Sequence, residues 1–243
     1  ILHNLCLKYQ CLWDTNYDDP YFNKRRYILE KNNMPYSMTI IANLLTNQNR
    51  NGLSQLITNE LTRVLEELLY RYIVSNKDRP EEQLSILRAL ANLSFFSQND
   101  NVKALFSKEK VFKHIFYNYV SNPNKENEDL RIKEALKLMD NLFRNYERST
   151  IEYILKDKFY NVLLKALDNV VFFEDAVKLI QTMFSNVERV DNSGYLKIVL
   201  INSLDDNGIV NKLNTYHLNR NHGTDDALVE GLLNYLNSIM REG

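Results

Sequence analysis

Glycine and proline are scarce in this chain, 6 and 4 in 243 residues. Tight hairpins draw on both, so their scarcity points to a helix-dominated protein. Cysteine is scarcer still: Cys6 and Cys11, five residues apart, form neither a four-ligand zinc pattern nor a disulfide framework. A reducing, cytoplasmic setting is therefore expected. No apolar run approaches the ~18 residues that a membrane span requires, and no signal peptide precedes Ile1, so membrane insertion is not expected. Neither charge dominates. With 30 basic and 31 acidic residues the net charge is −1, which gives no bulk attraction to nucleic acid or to an anionic membrane. Any electrostatic preference must be local. No Gly/Ser-rich linker or change of composition divides the chain, so residues 1–243 read as a single domain. The chain carries no initiator Met and opens inside what reads as the last helix of a repeat. It is expected to be a piece of a larger protein.

What the sequence does have is repetition. In Leu84-Ser85-Ile86-Leu87-Arg88-Ala89-Leu90-Ala91-Asn92-Leu93, the residues Ile86, Leu87, Leu90 and Leu93 form a stripe at three- and four-residue spacing, the mark of a buried helix. The same core returns as Ile40 to Leu45, Ala135 to Leu142 and Gly231 to Leu236, and at the start as Ile1 to Leu5; a divergent copy, Ala176 to Met183, has Thr182 in place of the Asn. Anchored on that position the copies fall at 4, 43, 92, 141, 182 and 234, separations of 39 to 52 residues. Such periods mark helical repeat arrays. A second strip repeats between the anchors. Residues 104–116 align with 152–164 at a shift of 48, pairing Phe106 with Ile154, Val111 with Phe159 and Ile115 with Leu163. A looser copy begins at Leu56. Each unit reads as a short helix, a turn, a longer helix, a loop and the Asn-Leu helix.

This pattern resembles the armadillo-repeat family and shades into HEAT repeats. The resemblance implies an all-α, right-handed α-solenoid of about five units, roughly 14–52, 53–100, 101–148, 149–190 and 191–243 after a partial unit at 1–13. In that family an Asn of each third helix often lines a concave groove, which implies a protein-binding scaffold or adaptor. Two features depart from the family. Its usual Gly between the first two helices is replaced by Ser107-Lys108-Glu109-Lys110 and Lys156-Asp157-Lys158, and only Asn207-Gly208 follows the habit. Importin-type nuclear adaptors place a Trp one turn before each groove Asn, whereas this chain has Thr39, Arg88, Lys137, Lys178 and Glu230. That argues against a nuclear-signal receptor.

Local signals fit helices joined by polar breaks. Pro80-Glu81-Glu82 opens the Leu84 helix, Pro suiting a first turn and acids its positive end. Ser149-Thr150-Ile151-Glu152 fits a capping box. The run Ser121 to Glu128 is the most loop-like segment. Lys24-Arg25-Arg26 reads as a solvated helix face, being shorter than the usual basic patch.

Chemistry-bearing motifs are missing. There is no G-x-S-x-G, no phosphate-cradling glycine loop and no Cys–His pair in a matching context. His217, His222, Asp225 and Asp226 cluster, but the two histidines straddle an expected helix end and do not share a face. His3 and His114 fall on repeat helices as packing or groove residues. No enzyme, metal site or cofactor is expected.

The remaining candidate is the groove: Asn43, Asn92, Asn141, Thr182 and Asn234 at the anchors, with Arg88, Lys137 and Lys178 one turn before three of them. Residues i and i+4 share a helix face. Stacked units would align these bases beside amides that can bond a peptide backbone, and the bases would favour acidic side chains or phosphates. The competing reading makes the bases the polar edge of amphipathic helices and the amides ties between neighbouring turns. The expected partner is a protein presenting an extended acidic segment; the alternative is a folded partner, such as a small GTPase, a cytoskeletal motor or a chaperone client, docked by surface patches. Nucleic-acid binding is disfavoured by the neutral charge.

Overall fold

The computed structural model describes residues 43, 57, 59–69, 80–112, 115, 127–156, 159–219 and 224–242. Among them the secondary structure is helical and no strand occurs. In chain order the helices are α1 (Asn59–Leu69), α2 (Pro80–Leu93), α3 (Asp100–Phe106), α4 (Glu109–Phe112), α5 (Glu128–Asn145), α6 (Arg148–Leu155), α7 (Tyr160–Asp168), α8 (Phe173–Val190), α9 (Tyr195–Asp206), α10 (Ile209–Asn219) and α11 (Thr224–Glu242). From α3 onward they run short, short, long three times, the long members α5, α8 and α11 being 18, 18 and 19 residues.

Local chemistry explains most of the boundaries. Pro80 is the first residue of α2, where its missing N–H costs no helical bond. Asn99 caps α3, its Oδ1 accepting from the N–H groups of Asn101 and Val102 at 3.0 and 3.3 Å. Helix α8 carries Glu174 and Asp175 in its first turn and Arg189 in its last, each sign at the end of the helix dipole that favours it. Gly208 takes φ +75° between α9 and α10, a left-handed turn that a side chain would strain. The turn after Phe106 manages without glycine because Ser107 stays in the right-handed region.

One boundary differs from expectation. Ser149-Thr150-Ile151-Glu152 is not a capping box: α6 begins at Arg148 after Glu147, which makes no side-chain cap bond. Arg148 Nε instead takes the Glu152 carboxylate one turn on at 2.9 Å, and Thr150 is buried, its hydroxyl donating to the Phe106 carbonyl. The Arg148–Glu152 pair, one turn apart, favours a start two residues earlier, at Arg148.

Packing follows the triplets. Long helix lies beside long helix, α2 against α5, α5 against α8 and α8 against α11. The short helices keep a similar order, with α6 beside α9 and α7 beside α10. One apolar core runs through all of these contacts. The residues matched at a shift of 48 occupy equivalent depths: Phe106 and Ile154, Val111 and Phe159, Ile115 and Leu163 are all fully buried. Aromatic rings fill the joints. Phe106 meets Tyr146 edge-on at 5.7 Å and Phe143 meets Phe159 at 6.3 Å, in each case joining a long helix or its end to a short one. Burying a side chain of this size contributes ~1.5–3 kcal/mol.

Candidate binding surface on the long helices

The anchor positions lie on the seams between successive long helices. Asn92, near the end of α2, is buried, and its Oδ1 accepts from Nζ of Lys137 on α5. Asn141 is buried too; its Nδ2 donates to the Ala91 carbonyl at 3.0 Å and to Ser94 Oγ at 3.1 Å. Thr182 on α8 is buried and accepts from Arg144 Nη2 at 3.0 Å. Arg88 Nε pairs with Glu134 Oε1 at 2.9 Å, across the same α2–α5 seam. Five of the eight groove positions inferred from sequence are thus brought together as ties between helices. The other three are exposed: Asn43 on a helical turn, Lys178 paired with Glu174 one turn earlier at 2.5 Å, and Asn234 on α11.

The physical reason is rotation. Asn141 and Thr182 turn toward the preceding long helix, and Asn92 toward the following one, where a buried amide or hydroxyl must find a partner. The solvent-facing edge then falls four residues before and three residues after the anchor, and Lys137, Arg144, Lys178 and Ser185 are all exposed there. Arg144 and Ser185 escape an anchor-centred reading, although a helical wheel puts i+3 on the same flank as i−4.

Charge along this edge is unevenly matched. Arg144 holds Asp140 through Nε at 2.9 and 2.8 Å; Arg88 and Lys178 have their own carboxylates. Lys137 and Arg189 differ. Among the described residues their partners are neutral oxygens: Asn92 Oδ1 for Lys137, and Asn186 Oδ1, Arg144 O and Tyr146 O for Arg189, the first at 3.0 Å and the carbonyls at 3.3 and 3.4 Å. Both residues are exposed at the surface.

The α8–α11 seam carries a different device. Glu188 accepts from Lys197 Nζ at 2.7 Å and from the Tyr235 hydroxyl at 2.5 Å. The bond from Lys197, then that from Tyr235, holds the Glu188 carboxyl below its ordinary range, and the carboxylate in turn raises Lys197. Burial, with the bond to Glu188 second, raises Tyr235. Beside this cluster a cleft of about 230 Å³ opens between the two helices. Its floor is Phe184, Leu232 and Tyr235, the two rings meeting edge-to-face at 5.3 Å. Gln181, Ser185 and Glu188 form one rim, and Gly231 leaves the opposite wall open.

Among the described residues no group of three or more His, Cys, Asp and Glu side chains is placed to hold a metal ion, and no helix is long and apolar enough to cross a membrane. His217 lies in the last turn of α10. His3, Cys6, Cys11, Lys24-Arg25-Arg26, His114 and His222 lie outside the described residues. No family model matches the chain, and neither a curated protein nor a solved structure matches it.

Proposed function

We propose that the chain is a non-catalytic binding scaffold, an armadillo-like stack of helical units, that holds an extended acidic segment of a protein partner along the exposed edge of α5 and α8. The observation that carries this reading is the pair Lys137 and Arg189, two cations on one edge with no carboxylate partner among the described residues. The recurring triplets and the side-by-side long helices support the stack. Long helices ~8–10 Å apart span roughly 20 Å over three units. An extended strand rising ~3.3 Å per residue covers that distance with about six or seven residues. An intracellular, cytoplasmic location accords with the sparing use of cysteine.

The test is charge reversal at those two positions. Lys137→Glu with Arg189→Glu is expected to weaken capture of acidic peptides at least tenfold and to remove its salt dependence, whereas reversal of Arg88 acts mainly on stability through Glu134. Undiminished binding by the double variant sinks the proposal.

A second reading is favoured by a separate observation. Val170 and Val171, at the tip between α7 and α8, are 79% and 75% exposed, with Leu130 at 40%. An apolar knob of this kind suits a folded partner. Val170→Asp with Val171→Asp would abolish that complex and leave peptide binding intact.

A further inference from the structure

We infer that the cleft between α8 and α11 is a side-chain pocket that receives one aromatic residue of the bound acidic segment. This rests on the groove reading above and adds a second determinant to it.

Three features select the occupant. The first is size: about 230 Å³ lies below the ~300 Å³ where small-molecule and cofactor sites begin, so the space suits a single side chain. The second is the floor, where Phe184 and Tyr235 present an edge-to-face pair that a third ring extends. The third is the rim. Glu188 is already neutralised by Lys197 and hydrogen-bonded by Tyr235, so it has little left to attract a lysine or arginine. An acid is served better elsewhere, because Ser185 on the rim is one helical turn from Arg189, ~5–6 Å along the face. The Arg189 guanidinium is held at the end of α5, so a strand that crosses α8 from α5 to α11 with a carboxylate at Arg189 brings a following inward side chain over the cleft.

Gly231 makes the inference testable without disturbing the fold. It is helical with an ordinary backbone, and a Cβ built on it meets nothing within 4 Å. Gly231→Leu fills the cleft from one wall and Ser185→Leu, at an exposed position, from the other. Two fluorescein-labelled heptapeptides of alternating Asp and Glu, with Phe or Ala at the centre, serve as probes, their binding followed by anisotropy and the fold of each variant by circular dichroism. The Phe peptide is expected to bind about tenfold more tightly. Each Leu variant is expected to reduce it to the level of the Ala peptide while leaving the Ala peptide unchanged. Lys137→Glu with Arg189→Glu should weaken both peptides alike. Equal binding of the two peptides, or a preference for Phe that survives both Leu variants, overturns the pocket and leaves the groove standing. Failure of both peptides to bind, or binding indifferent to charge reversal, overturns the groove and the pocket together.

Discussion

The α2–α5 seam and the α8–α11 seam are built from the same helical pattern and close differently. At the first, Asn141 and Lys137 reach from α5 to the end of α2, and Arg88 reaches from α2 to Glu134 on α5. At the second, a Tyr235–Glu188 bond spans the helices, Gly231 supplies no side chain, and a cleft opens. Apolar stripes bring long helices side by side; the polar residues flanking the stripe decide how tightly the surface edge seals. A repeat array can therefore vary its surface without altering its core.

The largest expected effect comes from removing a tie at the closed seam. Asn141→Ala removes the donor to Ser94 Oγ and one of two donors to the Ala91 carbonyl, which keeps the Ser94 hydroxyl at 2.8 Å, and should cost ~1–3 kcal/mol in denaturant unfolding. Asn234→Ala, at the corresponding but exposed position of α11, should stay within ~0.5 kcal/mol. Equal costs at the two sites would erase the contrast.

Next is acid sensitivity. Asp191, just after α8, has a fully covered side chain that accepts from the Leu196 N–H at 2.6 Å, from the Ser193 N–H and hydroxyl, and from Arg148 Nη1 at 3.0 Å. The Leu196 bond first, then the Ser193 hydroxyl, holds its carboxyl below the ordinary value; Glu188 is lowered as well, chiefly by Lys197. A carboxyl depressed on folding adds stability that is present above its unfolded pKa, ~4, and is lost as pH falls through the folded value. Melting temperature should therefore drop from pH 5 towards pH 2. Asp191→Asn should flatten that drop more than Glu188→Gln, because Glu188 is nearly half exposed and its ion pair is screened. The reverse order would mean that the open seam, rather than the covered carboxylate, governs the acid limb.

The smallest effect has the opposite sign. Gly231→Ala removes a flexible residue from the interior of α11 with nothing near the added carbon. It should raise stability by ~0.5–1 kcal/mol in a thermal melt, and a loss would show that the cleft is narrower than its lining indicates.

The helical class and the position of every long helix within the described residues were legible in the sequence, because a stripe at three- and four-residue spacing depends only on local order. Leu84 to Leu93, Ala135 to Leu142, Ala176 to Met183 and Gly231 to Leu236 all fall inside α2, α5, α8 and α11. The 48-residue shift also found positions of equal burial. The rotation of each helix against its neighbour was not legible, since it depends on contacts between residues far apart in the chain. Two readings of the anchor amides therefore stood side by side, a groove lining and ties between neighbouring turns; the burial and bonds of Asn92 and Asn141 accord with ties, and Glu134 gave no sign of its pairing with Arg88 from 46 residues away. Arg144, Ser185 and Arg189 emerged only once that rotation was known. The capping box failed for a local reason: an Arg–Glu pair four apart competes with the serine for the same helix start.

Arg189 links the triplets in a further way. Its guanidinium satisfies two backbone oxygens at the end of α5, 45 and 43 residues earlier in the chain. A helix whose end is completed by a later part of the chain emerges from the ribosome unfinished, so α5 stays frayed until α8 has been synthesised. Shortened versions ending before residue 173 would keep that loose end permanently, and proteases would find it there.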